Sequence, residues 1–195
     1  MKSTFLLLSS RLLSAATAGA LLGATAFAQA PAAPGSPPAA PAERPKPLGY
    51  TDQTYVRNSA KSLFYLIQLA NAAKAVTDPN LTRLRDSTAQ DLATALKGLT
   101  TIAEAHGEKV PTEVAGNDKF DLDRLAKVKP DKFPKEWVEA LFKEIKHLHH
   151  DTELAATTAQ DDDLKSFLTN YSPTINGVFS NAEAADKAAK APLKK

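Results

Sequence analysis

Three of the four histidines lie close together in the chain, at His147, His149 and His150, and Asp151 follows them directly. On a helix, residues three and four apart share a flank, so His147, His150 and Asp151 would project together. Imidazole and carboxylate groups are ligands for Zn, Ni and Cu. The favoured interpretation is a solvated face rich in histidine, since two or three protein ligands rarely form a tight site. The alternative is a weakly bound divalent transition metal on this flank, with Glu144 as a further ligand.

Stronger catalytic chemistry has little support in the sequence. A di-iron carboxylate centre needs a glutamate from each of two helices and a Glu-x-x-His pair from each of two others. The chain has one such pair in the predicted helices, Glu144 with His147, and no glutamate in the first helix. It also has no cysteine, no Gly-x-Ser-x-Gly elbow and no glycine-rich phosphate loop. We therefore expect no enzymatic activity and no tightly bound cofactor.

The histidine cluster lies on a predicted helix over residues 134–160, with Pro134 in its first turn. Its apolar residues recur at helical spacing and form one face. The members of that face are Trp137, Val138, Leu141, Phe142, Ile145, Leu148, Thr152, Ala155 and Ala156. At 100° per residue His149 falls inside the apolar face, whereas His147 and His150 fall on the polar side. His149 is thus predicted to face the core.

Three further long helices and one long connection account for the rest of residues 50–195, which we interpret as one domain. An apolar seam runs between Asp52 and Thr77, and a second helix is predicted from Asp78-Pro79 to Gly107, with His106 on its core-facing side. Residues 108–133 contain two prolines and a glycine, with one short helix expected around 119–127. A last helix follows the acidic run 161–163 and should kink at Pro173. The pattern predicts an all-α, four-helix bundle with one long crossover.

Residues 1–28 are predicted to be a signal peptide. Lys2 and Arg11 give a basic lead to an apolar, alanine- and leucine-rich run, and residues 26–28, Ala-Phe-Ala, fit a signal peptidase site. Residues 29–49 contain seven of the thirteen prolines and are predicted to be a disordered Pro/Ala-rich linker. The expected location is the periplasm or the exterior, with cleavage after Ala28.

The charge balance constrains the class of partner. Removal of residues 1–28 takes away two basic residues and no acidic one, so 22 basic and 22 acidic side chains remain. Nucleic-acid binding is not expected, because such proteins carry a basic excess. No membrane-spanning segment is expected after signal cleavage. The partner is expected to be an envelope component, and the sequence does not identify it or the oligomeric state.

Three short motifs occur in an order found in one bacterial family. They are Asp91 to Leu99 with Ala103 and Pro111, Trp137 followed by His149-His150, and Leu164-Lys165 followed by Pro173-Thr174-Ile175. With these motifs nearly the whole mature chain resembles the domain-of-unknown-function family 4142, whose members are often labelled outer-membrane or periplasmic proteins. The resemblance implies a signal peptide and a ferritin-like four-helix bundle.

Two departures from the family pattern bear on function. The resemblance implies histidine in the second and fourth helices, where this chain has Leu92 and Val178. The third-helix histidine of the pattern is matched by His149 or His150. We therefore expect a degenerate member with a non-enzymatic binding or structural role in the envelope or in stress. The alternative is a metal-binding or vestigial ferritin-like protein that uses the third-helix histidines.

Overall fold

The computed structural model describes residues 46–191, which form five helices and no strand. The helices are α1 (Tyr50–Ala72), α2 (Pro79–Ala105), α3 (Gly116–Leu125), α4 (Phe133–Thr158) and α5 (Asp162–Lys190). The prediction of an all-α protein is confirmed for this part of the chain. The predicted signal peptide, residues 29–45 of the predicted linker and residues 192–195 lie outside the described residues.

Two helices begin at the aspartates that the sequence indicated. The Asp78 carboxylate accepts hydrogen bonds from the backbone N–H groups of Asn80 (2.9 Å) and Leu81 (3.0 Å), and Pro79 occupies the first turn of α2. The Asp161 carboxylate accepts from the N–H of Leu164 at 3.0 Å. These bonds satisfy N–H groups that have no partner within the first turn of a helix.

Helix α5 is one continuous element although Pro173 lies inside it. Proline cannot donate the backbone hydrogen bond expected at its position, which weakens the helix locally. The neighbouring Ser172 hydroxyl donates to the Leu168 carbonyl at 2.6 Å. Pro173 therefore does not end the helix, and the kink expected there stays a prediction.

The four long helices contact one another in a closed ring. Helix α1 packs against α2 and α4, and α5 packs against the same two helices. At one end of the ring, the start of α1 meets the end of α4 through Asp52 and Gln160. At the other end, Lys190 of α5 lies 3.9 Å from Glu139 near the start of α4. Helices α2 and α4 thus end where α1 and α5 begin, and residues 106–132 run the length of the ring. The short α3 contacts α1 and α4 on the way.

Large apolar side chains from all four long helices fill the centre of the ring. Those with almost no exposed surface are Trp137, Leu63, Leu66, Leu69, Leu92, Leu99, Leu141, Ile145, Leu148, Leu164, Leu168 and Ile175. The Trp137 indole N–H donates to the Leu69 carbonyl at 2.9 Å, so the one polar group of the indole is satisfied. Ala156, which the periodicity assigned to the apolar face of α4, is exposed, and the last buried members of that face are Thr152 and Ala155.

None of the five described helices combines the length and the apolar character that a bilayer span requires.

Candidate functional site

The structure keeps the predicted α4 ligands apart. His147, His150 and Asp151 are exposed, whereas Glu144 is half-buried and accepts a hydrogen bond from the Ser62 hydroxyl of α1 at 2.6 Å. In the described part of the chain, one group of three metal-ligating side chains has its ligand atoms within 4.8 Å of one another. None of these four α4 residues belongs to that group. A metal site on this flank stays a prediction.

His149 lies at the edge of the apolar packing. Its side chain is 18% exposed, and its ring stacks on Phe179 of α5 with the centroids 4.4 Å apart. Phe179 also stacks on Phe142, at 5.9 Å. The Nδ1 atom of His149 is 3.6 Å from a carboxylate oxygen of Glu153 on the solvent side. His149 therefore packs one face of its ring against α5 and turns its nitrogens toward the surface.

The one close group of metal-ligating side chains lies at the end of the ring where α2 ends and α5 begins. It consists of His106, Asp161 and Asp163, and we call this region, together with Asp52 and the segment that precedes α1, the His106 end. His106 is largely buried, Asp161 is half-buried and Asp163 is exposed. The group therefore opens to solvent on one side only.

The end of α2 fixes the position of His106. Gly107 has a φ of 72°, in the left-handed region that glycine adopts without strain. The Glu108 N–H donates to the Ala103 carbonyl (2.8 Å) and the Gly107 N–H donates to the Glu104 carbonyl (3.0 Å). These two bonds form a Schellman motif, which satisfies the last carbonyl groups of the helix. His106 is the residue at which the helix ends, and its side chain lies beside Asp161.

A buried carboxylate fixes the position of Asp161. Asp52, in the first turn of α1, is only 3% exposed. Its carboxylate accepts hydrogen bonds from the backbone N–H groups of Gln160 (3.0 Å) and Asp161 (2.9 Å). Both donors lie in the short connection between α4 and α5. Asp52 thus ties the start of α1 to the start of α5.

The two nitrogens of the His106 ring have different surroundings. Nδ1 lies 2.6 Å from the Lys46 carbonyl oxygen, and because a carbonyl only accepts, Nδ1 is the N–H donor. In the neutral ring the lone pair is then on Nε2. Nε2 is buried, lies 3.3 Å from the Asp161 carboxylate, and has no hydrogen-bond partner within the described residues. The ring is therefore held from one side and presents its second nitrogen to two carboxylates.

The three aspartates at the start of α5 have separate roles. Asp161 uses one oxygen to cap α5 and presents the other to His106. The carboxylate of Asp162 accepts a hydrogen bond from Lys165 at 2.9 Å, and this bond lowers the pKa of Asp162. Asp163 forms no ion pair with any residue in 46–191. The helix dipole favours all three charges, but only Asp161 and Asp163 remain available to His106.

A second polar contact lies inside the ring, between α1 and α4. The Thr152 hydroxyl donates to the Leu148 carbonyl at 2.7 Å, so the Tyr55 hydroxyl, 3.2 Å away, donates to Thr152. Burial raises the pKa of Tyr55. Nearby, burial followed by the charges of Asp121 and Glu144 raises the pKa of Tyr65 to about 12. Both phenols therefore stay protonated at neutral pH, and the Tyr55 hydroxyl joins α1 to α4 through Thr152.

The sequence predicted His106 as a core-facing residue and the acidic run as a helix cap, but the contact between them was not predicted. His106 and Asp161 are far apart in the sequence, and helical periodicity relates only residues on the same helix. One signal was available: with a single long crossover, the end of the second helix and the start of the last helix must lie at the same end of the bundle. That topology places the histidine beside the acidic run.

Comparisons with known proteins show the family and the fold. A family model described as "Domain of unknown function (DUF4142)" matches residues 36–185. No curated protein matches the chain. Among solved structures, a DUF305 fragment from Deinococcus radiodurans is similar, with a TM-score of 0.63 over 73% of this chain and 99% of that chain. At 8% sequence identity this likeness shows a shared helical fold and no shared activity.

Proposed function

Since the chain belongs to the DUF4142 family, we propose that it is an exported, non-enzymatic binding or structural protein of the cell envelope, built as a ferritin-like four-helix bundle. The closed ring of contacts among α1, α2, α4 and α5 supports this architecture. The single long crossover between α2 and α4 is also a feature of ferritin-like bundles.

The observation that carries the non-enzymatic role is the apolar centre of the ring. Leu92 is completely buried and Val178 nearly so, at the two positions where the family resemblance implies histidine. The buried carboxylates among the described residues, Asp52 and Asp186, lie at opposite ends of the ring. A ferritin-like oxidase needs carboxylates and imidazoles that converge in the centre. Hydrocarbon occupies that space here, so we assign the protein no oxidase chemistry.

Iron analysis tests this assignment. We expect the protein, purified from its own cells and desalted, to carry far less than one iron atom per chain. Two iron atoms per chain that survive desalting would contradict the proposal. Leu92→Glu tests whether the centre is apolar. An unpaired carboxylate in this position should lower the free energy of unfolding by about 3 kcal/mol.

Export is supported by the first 28 residues, with their basic lead, apolar run and small residues at positions 26 and 28. We expect the protein in the periplasmic fraction, with a mass that corresponds to a chain starting at Gln29. Ala28→Leu should leave the precursor unprocessed, whereas Ala39→Leu in the linker should not change processing. A full-length chain in the cytoplasmic fraction would contradict the proposal.

The alternative function is metal binding by the histidines of α4. Its support is the exposure of His147, His150 and Asp151 on one helix. The bond between Glu144 and Ser62 reduces the number of free ligands, because Glu144 would have to release Ser62 to reach a metal. Loss of zinc binding in His147→Ala would support this function, and unchanged affinity would rule it out.

A further inference from the structure

The surroundings of His106 are unfavourable without a cation. If Nε2 carries a lone pair, that lone pair lies 3.3 Å from an anionic oxygen of Asp161. If Nε2 carries a proton, that buried proton has no hydrogen bond of acceptable geometry. An unsatisfied buried polar atom costs free energy, and Nε2 is not fully satisfied in either state. A cation between the imidazole and the carboxylates would remove this cost.

The distances fit a metal ion. Zinc binds histidine nitrogen and carboxylate oxygen at about 2.0–2.2 Å, so two ligands on a tetrahedral ion lie about 3.3–3.5 Å apart. The distance between His106 Nε2 and Asp161 Oδ2 is 3.3 Å. The third ligand atom, from Asp163, lies within 4.8 Å of both. Asp163 is exposed, so a change of rotamer can move its carboxylate to ligand distance.

The groups around the ligands also match those of metal sites. Histidine ligands usually donate their second ring N–H to a carbonyl or carboxylate, which fixes the tautomer and the ring orientation. The bond from His106 Nδ1 to the Lys46 carbonyl has this role. Asp52 holds the backbone of Asp161, and Lys165 pairs with Asp162 and leaves Asp163 free to bind. The ligands are thus positioned from four separate segments of the chain.

From this geometry we propose that the His106 end binds one divalent transition-metal ion, zinc in the first place, through His106 Nε2 and the carboxylates of Asp161 and Asp163, with water as the fourth ligand. The ion joins the end of α2 to the start of α5, beside the point where the chain enters the ring. This proposal does not depend on the proposed envelope function, because it concerns only the described residues.

Competition between the metal-free chain and a colorimetric zinc chelator at pH 7.5 tests the proposal. We expect one zinc ion per chain, with affinity lowered at least about tenfold in His106→Ala and in Asp163→Asn. Asp162→Asn is the matched acidic control, because Asp162 pairs with Lys165. His147→Ala and His150→Ala control for the α4 flank. All three controls should bind zinc within about twofold of the unchanged chain.

Several results would overturn the proposal. They are the absence of zinc binding at 100-fold excess over protein, equal losses in Asp162→Asn and Asp163→Asn, or a loss confined to His147→Ala and His150→Ala. If His106→Ala fails to fold by circular dichroism, the exposed Asp163→Asn decides the question. Zinc should also raise the unfolding temperature of the unchanged chain and of Asp162→Asn, and should have a smaller effect on Asp163→Asn.

Discussion

The centre of the ring and the His106 end differ in the kind of side chain that they bury. In the centre, residues such as Leu92, Trp137 and Ile145 exclude water, and the Trp137 indole N–H donates to a backbone carbonyl. At the His106 end, the packing brings an imidazole and two carboxylates together, and one buried nitrogen of that imidazole lacks a hydrogen-bond partner. The centre therefore supplies stability, and the end supplies the groups that can bind a ligand.

The largest effect should come from the centre. Trp137→Ala removes a fully buried ring and its bond to the Leu69 carbonyl, and should lower the free energy of unfolding by about 3–5 kcal/mol. Urea denaturation followed by circular dichroism measures this change. Phe120→Ala is the control, because Phe120 is 68% exposed, and it should change stability by less than about 0.5 kcal/mol. Similar losses in both variants would show that the centre is not the main source of stability.

Loss of the buried charge of Asp52 at the His106 end should have the next largest effect on stability. Asp52→Asn replaces a carboxylate that accepts from two backbone N–H groups, and should cost about 1–3 kcal/mol. Asp162→Asn, on the surface, should leave the free energy of unfolding nearly unchanged. Both values come from the same urea experiment. If Asp52→Asn is neutral, Asp52 does not hold the connection between α4 and α5.

Two glycines should respond to alanine with opposite signs. Gly107→Ala places a side chain at a φ of 72° and should destabilise the protein by about 1 kcal/mol while shifting His106. Gly177 lies within α5 with open space around it, so Gly177→Ala should stabilise the protein by about 0.5–1 kcal/mol. Unfolding temperatures measured side by side give both signs. Equal signs would contradict the assigned end of α2.

The smallest expected effect is a pH dependence from the phenols packed along α1. The folded chain raises the pKa of Tyr65 to about 12 and also raises that of Tyr55. Above pH 10 the unfolded chain loses these protons first, so the free energy of unfolding should fall as pH rises from about 10 to 12. Tyr65→Phe should make this fall shallower, whereas Tyr50→Phe, at an exposed position, should not. Identical profiles would mean that Tyr65 is not buried in the protonated state.

The helices could be predicted from the sequence because their signals are local. Asp78-Pro79 marks the start of α2, Gly107 marks its end, and the apolar periodicity of α4 contains the buried Trp137. The site could not be predicted in the same way. His149 and His150 are adjacent in the sequence, but His149 stacks on Phe179 of α5 whereas His150 is exposed, since neighbouring positions on a helix are about 100° apart.

The group at the His106 end shows the opposite relation. His106 is distant in sequence from Asp161 and Asp163, and only the packing of α2 beside α5 brings them together. Each residue also has a sufficient local explanation, as a helix end, a helix cap and an exposed acid. Periodicity alone therefore gives no reason to connect them, whereas the predicted single crossover already places the end of α2 and the start of α5 at the same end of the bundle.

Nitrogen-15 NMR of the four imidazoles during a zinc titration tests most directly whether ligand binding is confined to the His106 end. We expect the Nε2 signal of His106 to shift to the metal-bound range while its Nδ1 stays protonated, and His147, His149 and His150 to keep their signals. Shifts at His147 and His150 with no change at His106 would contradict the proposed site.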